Sequence, residues 1–263
     1  MKLIINTDTC TGCKLCKQVC IRDNIDIKNK TAFELNNPEC FECGHCMAIC
    51  PTNSIRLKKY KNQENKIQDY NNLNINNEDF LELLKQRRSI RWFKKDKINQ
   101  ETFNKLFEAV YYSPNAQNIQ DTEFVVLDEK LDEFMNLVYD IIKIEEDKFF
   151  RIKQLGQYLR GEGEYKNNPL LWEGKQLILG FSSNKANCLI ANTRLELYAN
   201  LLGLGGFYSL FILKADEIDH ERLINFFPEI SKDKFMGSAF VIGYPRIKFR
   251  RTIPHEEVKL SFL

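Results

Sequence analysis

The 263-residue chain lacks the features that would place it in a membrane or on a nucleic acid. No uninterrupted apolar run approaches the ~20 residues of a membrane-spanning helix, and the N-terminal apolar stretch reaches Asp8 before the core of a signal peptide forms. Lys and Arg number 38 against 36 Asp and Glu, so the net charge of +2 is too weak to indicate a polyanionic partner. The sequence therefore predicts a cytoplasmic protein with no nucleic-acid or membrane partner.

Histidine is also scarce, and the glycine-rich signature of a dinucleotide-binding domain is missing. His45, His220 and His255 have no spacing typical of a catalytic pair or a metal site. No Gly-x-Gly-x-x-Gly follows a strand pattern, so no Rossmann unit is predicted. Apolar residues make up 43% of the chain and aromatic residues 12%, which is typical of globular domains. The length fits one small and one medium domain.

Cysteine is concentrated in the first fifth of the chain, where eight of the nine cysteines lie. They form two runs with the same Cys-x2-Cys-x2-Cys-x3-Cys spacing, thirty residues apart: Cys10, Cys13, Cys16 and Cys20, then Cys40, Cys43, Cys46 and Cys50. Ile25 recurs as Ile55 in the same register, and Pro51 follows the second run. The N-terminal part is therefore a duplicated half, and the crowding of cysteines indicates a metal site.

This spacing resembles that of bacterial ferredoxins with two [4Fe-4S] clusters. Three cysteines within seven residues wrap one short loop around a cluster, and in that arrangement the last cysteine of each run ligates the other cluster. The resemblance implies one cluster held by Cys10, Cys13, Cys16 and Cys50 and another held by Cys40, Cys43, Cys46 and Cys20. The crossed ligation would staple the two halves of a small domain together.

Zinc and disulfides are the competing interpretations of the cysteines. A tetrahedral zinc site needs only two Cys-x2-Cys pairs, which gives no reason for the third cysteine of each run or for the Cys50-Pro51 ending. Disulfides would need an export signal that the sequence does not show. Between the two runs, residues 25–27 and 32–35 flank Asn29-Lys30 and predict a small hairpin.

A polar stretch rich in Lys, Asn and Gln separates this region from the rest of the chain. The predicted domains are residues 1–58, a linker at 59–76, and residues 77–263. Asn77 is expected to cap a helix with Phe80, Leu83 and Leu84 on one face. A second helical pattern places these residues on one face: Phe103, Leu106, Phe107 and Val110.

The second domain alternates buried strands with longer helical patterns. Strands are predicted at 124–127, 176–181 and 239–243, helices at about 129–148, 185–202 and 216–227, and a long loop at 155–172 that contains Gly156 and Gly163. The fold class is α+β or α/β.

Four segments of this domain resemble the nitroreductase family, and together they span nearly all of residues 78–263. They are the Arg-Arg-Ser-Ile-Arg run after the first helix, an Asn- and Gln-rich loop, a helix ending in Gly-Leu-Gly-Gly, and Gly243-Tyr244-Pro245 followed by two arginines. The resemblance implies helices around a central, mainly antiparallel sheet. It also implies FMN contacts from these residues: Arg87, Arg88, Ser89, Arg91, Asn115, Asn118, Gln120, Leu204, Gly205, Gly206, Arg250 and Arg251.

Joined together, the two resemblances imply an iron-sulfur flavoprotein oxidoreductase. Electrons would pass between the clusters and FMN to a small organic acceptor such as a nitroaromatic, a quinone or an activated alkene, and no catalytic side chain is assigned. Reduced ferredoxin or another redox protein would serve as donor, or NAD(P)H docked on the flavin, and the family implies a homodimer. The alternative is an electron-carrier or redox-sensing module that serves a protein partner.

The ninth cysteine, Cys188, is expected to be a small buried hydrophobe, with a place beside the flavin as the alternative.

Overall fold

A computed structural model describes residues 1–37, 39–162 and 165–263, so Gly163 of the predicted loop lies outside the described residues. The chain divides into two compact units. Unit 1 contains Met1–Asn74 and the short segment Asn115–Gln120, and unit 2 contains Ile75–Pro114 and Asp121–Leu263. The sequence predicts residues 115–120 as part of the second domain, whereas their contacts in the structure place them in unit 1.

Unit 1 is built from two strand pairs and two short helices. Strand β1 (Leu3–Ile5) pairs antiparallel with β4 (Ile55–Leu57), and β2 (Ile25–Lys28) pairs with β3 (Thr31–Glu34). The second pair is the predicted hairpin, and Asn29 and Lys30 turn it with φ values of 51° and 61°. Helix α1 (Leu15–Gln18) begins two residues after Cys13, and helix α2 (His45–Ala48) begins two residues after Cys43.

The backbone of unit 1 repeats as its sequence does. Left-handed φ values recur at three pairs of positions that are thirty residues apart: Gly12 and Glu42, Lys14 and Gly44, and Asp23 and Asn53. The same turns therefore surround both cysteine runs. A small core lies between the strand pairs and is formed by Leu3, Cys16, Ile25, Ala32, Ile55 and Leu57.

Unit 2 contains a four-stranded sheet in which every neighbouring pair is antiparallel. The strands are β5 (Glu123–Leu127), β6 (Gln176–Ser182), β7 (Gly205–Tyr208) and β8 (Phe235–Gly243), in the order β5-β6-β8-β7. Every residue of β6 is buried. The sequence patterns predicted β5, β6 and β8, and the mainly antiparallel sheet is confirmed.

Helices cover both faces of this sheet. The helices described in unit 2 are α3 (Asn77–Gln86), α4 (Gln100–Tyr111), α5 (Leu131–Ile142), α6 (Phe150–Leu159), α7 (Lys185–Leu201), α8 (Leu210–Ile218) and α9 (His220–Ile224), and α3 contributes no buried residue. Side chains alternate along β6, so Leu177 and Leu179 pack with Phe134 of α5 while Ile178 packs with Leu106 of α4 and Leu195 of α7. No helix among the described residues is long and apolar enough to cross a membrane.

Three predicted elements differ from the observed ones. The predicted loop at 155–172 is helical up to Leu159, because Gly156 lets α6 pack against the Tyr139 ring, where a Cβ would lie 2.7 Å from Cζ. The helix predicted at 216–227 is two helices, since the Asp219 side chain caps α9 by accepting from Arg222 N. The cap of α3 is Asn76, one residue before the predicted Asn77.

Candidate functional site

The eight clustered cysteines line two separate cavities of unit 1. One is lined by Cys10, Cys13 and Cys16 of the first run and by Cys50 of the second. The other is lined by Cys40, Cys43 and Cys46 of the second run and by Cys20 of the first. The fourth cysteine of each run thus lines the cavity formed by the other run. The structure therefore brings together both sets of four cysteines that the sequence analysis proposed.

The thiols of each set are close enough to affect one another electrostatically. Burial, and then the neighbouring Cys20, Cys43 and Cys40, raise the pKa of Cys46 to about 12. Burial raises the pKa of Cys16 as well, with contributions from Cys13 and Cys10. Four thiolates at such a site need a positively charged partner, which an iron-sulfur cluster provides. In the part of the chain that the structure describes, no group of three or more His, Cys, Asp or Glu side chains has the spacing for a single metal ion.

Backbone N–H groups point at three of the sulfur atoms. Asn24 N donates to Cys20 Sγ at 3.2 Å, Ala32 N to Cys10 Sγ at 3.4 Å and Ser54 N to Cys50 Sγ at 3.2 Å. Burial raises the pKa of Cys50, but the backbone N–H groups of Ser54 and Thr52 outweigh it and lower the pKa overall. N–H donors of this kind stabilise thiolates and help to set cluster potentials.

Three of the four nitroreductase-like segments come together in unit 2. Ile90 N donates to Gly206 O at 2.9 Å, which joins the arginine run to β7. Lys94 N donates to Tyr244 O at 2.8 Å and Arg246 N to Trp92 O at 2.9 Å, which join the same run to the chain after β8. The fourth segment, Asn115–Gln120, belongs to unit 1.

The arginines of the run have different surroundings. Arg87 ends α3, and its Nη1 lies 3.1 Å from Glu196 Oε1 on α7, a carboxylate whose side chain is 7% exposed. The Arg91 guanidinium lies over the Phe207 ring at 5.1 Å and the Trp172 ring at 6.0 Å. These two guanidinium groups therefore have protein partners.

Arg88 differs from these two arginines in the hydrogen bonding of its guanidinium group. Its Nη1 lies 3.3 Å from His255 Nε2, whereas its Nη2 is buried without a hydrogen-bond partner among the described residues. A buried guanidinium nitrogen without an acceptor is costly, so a phosphate or a flavin carbonyl there would offset the cost. Ser89 is half-buried beside it and carries a hydroxyl that can donate or accept.

Leu204, Gly205 and Gly206 are explained by packing. Leu204 is buried in the core, and a Cβ on Gly205 would lie 2.6 Å from Ile90 Cγ1. A Cβ on Gly206 would collide with Val241 O and lie 2.5 Å from Phe240 Cζ. These glycines let β7 lie against β8 and the arginine run, and their contribution to a flavin site stays a prediction.

The remaining predicted residues lie outside this cluster of segments. Arg250 and Arg251 are exposed in the C-terminal tail, which reaches Arg88 through His255. The side chains of Asn118 and Gln120 are hydrogen-bonded inside unit 1, and Asn115 Oδ1 accepts from Gln120 N at 3.0 Å.

Cys188 lies in the core of unit 2, and His220 is hydrogen-bonded nearer its surface. Cys188 is fully buried against Gly237, and burial raises the pKa of its thiol to about 12, so it is an inert hydrophobe at neutral pH. Burial lowers the pKa of His220, but bonds to the Lys232 carbonyl and the Asp216 carboxylate outweigh it and raise the pKa overall.

Sequence reasoning missed three partners of the arginine run. Glu196, His255 and Trp172 are separated from the run by about 80 to 170 positions in the chain, and no local pattern marks them. A buried acidic residue on a helix face was the one available signal for Glu196, because such a residue needs a cation.

Comparison with known proteins follows the same division of the chain. Residues 84–244 match the model of the Nitroreductase family, and residues 2–51 match the model of the 4Fe-4S dicluster domain. The first match covers more than half of the chain. The chain belongs to the nitroreductase family, and it is an oxidoreductase.

Solved structures share the fold of unit 2. An FMN-dependent nitroreductase from Clostridium difficile R20291 has a TM-score of 0.54 at 14% identity, with 72% of this chain and 100% of that chain covered. Nitroreductases with bound FMN from Bacteroides fragilis and from Desulfitobacterium hafniense each have a TM-score of 0.53 at 17% identity, with 71% of this chain and 100% of theirs covered. A comparison with curated proteins gives no match.

Proposed function

We propose that this protein is an iron-sulfur flavoprotein that passes electrons between two [4Fe-4S] clusters and FMN and reduces a small organic acceptor. The observation that carries the proposal is the sorting of eight cysteines into two cavities of four in a chain whose second unit has the nitroreductase fold. The acceptor class we propose is a nitroaromatic, a quinone or an activated alkene.

The cysteine cavities fit two clusters with crossed ligands. Cys10, Cys13, Cys16 and Cys50 would hold cluster I, and Cys20, Cys40, Cys43 and Cys46 would hold cluster II. N–H donors already lie within 3.4 Å of sulfur atoms in both sets.

FMN fits the polar surface formed by the arginine run of unit 2. Arg88 Nη2, which has no hydrogen-bond partner among the described residues, would donate to an oxygen atom of FMN, and Ser89 adds a hydroxyl next to it in the chain. Arg250 and Arg251, both exposed, are available to a phosphate group. Two of the three structural relatives contain bound FMN and the third is FMN-dependent, which supports the same cofactor here.

When bound, the clusters supply single electrons and FMN supplies a two-electron store. The protein's own contribution is to hold these groups and to set their environment through the N–H and guanidinium donors described above. A quinone acceptor would take up two electrons and two protons, and two reduced ferredoxins or one NAD(P)H would supply the electrons.

A homodimer is proposed from apolar side chains that unit 2 leaves exposed. They lie on α3 (Phe80, Leu81 and Leu84), on α7 (Leu189, Ile190 and Leu201) and in the C-terminal tail (Val258, Leu260, Phe262 and Leu263). A second copy of the chain would bury them, as expected for obligate dimers. A mass of one chain by light scattering would contradict this part of the proposal.

The relay is tested by acceptor reduction with reduced ferredoxin as the donor, under anaerobic conditions. Cys13→Ser removes one ligand of cluster I, and Cys188→Ala is the matched control because that cysteine is buried outside both cavities. We expect Cys13→Ser to lower ferredoxin-driven quinone reduction roughly 10-fold or more, since loss of metal-site residues has effects of that order. Cys188→Ala is expected to keep its rate.

Two results would count against the relay. Equal rates in wild type and Cys13→Ser, with the flavin content unchanged, would show that electrons do not pass through cluster I. Absence of turnover with every acceptor, together with tight co-purification of a redox protein, would favour the electron-carrier alternative.

A further inference from the structure

The segment Asn115–Gln120 has an unusual backbone. Gln117, Asn118 and Gln120 have φ values of 53°, 56° and 51°, in the left-handed region that is unfavourable for a residue with a Cβ. Asparagine tolerates this region better than glutamine does. Such a conformation persists where surrounding contacts fix it, so these contacts identify what the segment does.

The contacts are with the loop that carries Cys40 and Cys43. Asn118 Nδ2 donates to Phe41 O at 3.2 Å and to Glu42 O at 3.0 Å. The other end of the same amide, Oδ1, accepts from Gln120 Nε2 at 2.8 Å. Carbonyl oxygens only accept, so the NH₂ end must face them, and both ends of the amide are engaged within unit 1.

Gln120 fixes the orientation of Asn118. Its Nε2 lies 3.1 Å from Tyr60 OH as well as 2.8 Å from Asn118 Oδ1. Its backbone N donates to Asn115 Oδ1 at 3.0 Å, which closes the segment on itself. The Asn118 side chain is therefore held in place from behind.

The Cys40–Cys43 loop is held from a second direction by Lys2. Lys2 Nζ donates to Cys40 O at 3.0 Å and lies 3.0 Å from Glu42 Oε1. The carbonyls of three consecutive residues, Cys40, Phe41 and Glu42, thus each accept from a distant side chain. The matching loop of the first run is supported in another way, by close packing of Gly12 on the Lys30 carbonyl.

We propose that Asn118 is a positioning residue for cluster II. By holding the Phe41 and Glu42 carbonyls, it fixes the loop that carries Cys40 and Cys43, two of the four thiols proposed to hold that cluster. Hydrogen bonding and solvent exposure around a cluster set its reduction potential. Because Asn118 donates to the loop between Cys40 and Cys43, we expect its effect on cluster II and not on cluster I. The proposal rests on the proposed function, since it requires that the clusters are present.

The test uses the full chain and two substitutions that suit a left-handed residue. Asn118→Asp keeps the size and tolerates the φ of 56° but has no N–H to donate. Asn118→Gly tolerates the same backbone and removes the side chain. Asn72→Asp, at an exposed position of unit 1, is the matched control.

Two properties are measured anaerobically: the midpoint potentials of both clusters in an EPR-monitored titration, and the rate of iron release to a chelator. Both Asn118 variants are expected to shift one potential and leave the other unchanged. About half of the iron should be released roughly 10-fold faster than the other half, as found for outer residues of metal sites. The control should behave as wild type.

Unchanged potentials and iron release in both Asn118 variants would overturn the proposal. Equal shifts of both clusters, or uniform acceleration of all iron release, would also overturn it, because the effect would then be a general loss of stability. A wild-type protein that contains no iron-sulfur clusters would instead contradict the proposed function.

Discussion

Three arginines lie close together after α3, and Arg88 differs from the other two in having a buried guanidinium nitrogen without a hydrogen-bond partner among the described residues. Arg87 is paired with Glu196, and Arg91 lies over two aromatic rings, whereas Arg88 Nη2 is buried without an acceptor among the described residues. Of the twelve positions predicted to contact FMN, Arg88 is therefore the one that we propose to test first.

Replacing Arg88 by glutamine should weaken flavin binding. Glutamine keeps a polar side chain but loses the charge and the forked donors that bind a phosphate or a carbonyl pair. We expect the Kd for FMN to rise roughly 10-fold or more, equal to about 1.4 kcal/mol. FMN titration of the deflavinated protein, followed by flavin fluorescence, measures the change.

The matched control is Arg222→Gln, at a guanidinium that is 48% exposed and pairs with Asp140 on the surface. It should bind FMN as wild type does, because exposed ion pairs contribute little. The same Kd in Arg88→Gln and Arg222→Gln would show that Arg88 does not contact the flavin.

At the scale of residues, the sequence predicts ligands whose spacing is local and misses partners that are distant. The cysteine sets could be proposed because each run spans only eleven positions and because the exchange of the fourth cysteine between the runs follows the ferredoxin pattern. Glu196 and His255 could not, since only the folded chain brings α7 and the tail to the arginine run.

At the scale of elements, β7 is a strand whose sequence is typical of a turn. Gly203-Leu204-Gly205-Gly206 predicts a helix end, and it does end α7, but Gly205 and Gly206 then continue as a strand paired with β8. Two glycines in a short strand weaken the pattern that identifies strands. Close approach to Val241 and Phe240 explains why Gly206 has no side chain.

Gly206→Ala should destabilise unit 2. The added Cβ would collide with the Val241 carbonyl and the Phe240 ring, both in a strand that cannot shift without disturbing β6. Overpacking of this kind costs about 1–3 kcal/mol, and denaturant unfolding measures it.

Gly203→Asn provides the comparison, because Gly203 has a left-handed φ of 74° and no atom within 4 Å of its Cβ position. Asparagine tolerates that conformation, so a change below about 1 kcal/mol is expected. Equal losses of unfolding free energy in the two variants would contradict the packing explanation of Gly206.

Elements defined by local patterns were predicted well, whereas those set by tertiary contacts were not. The hairpin at Asn29-Lys30 and the helix with Phe103 and Leu106 are confirmed, since turn residues and apolar spacing specify them locally. The second half of helix α6, from Leu155 to Leu159, falls in the predicted loop, because Gly156 is needed for packing against a tyrosine that lies 17 positions earlier.

At the scale of the whole molecule, composition and the duplicated cysteine runs predict two domains. They do not predict that Asn115–Gln120 joins unit 1, because its sequence resembles the nitroreductase loop and its neighbours along the chain lie in unit 2. The hydrogen bonds of Asn118 to Phe41 and Glu42 show the difference, and such long-range contacts leave no pattern in the sequence.

The central claim is that one chain carries both kinds of redox group. The cysteine cavities support the clusters, and the arginine run of the nitroreductase domain supports the flavin. The two assignments rest on separate residues, so one determination of composition can test both.

That measurement is the content of iron, acid-labile sulfide and FMN per chain after anaerobic purification. We predict roughly eight irons, eight sulfides and one FMN, which are the contents of two [4Fe-4S] clusters and one flavin site. Zinc in place of iron, or no flavin after reconstitution, would contradict the account.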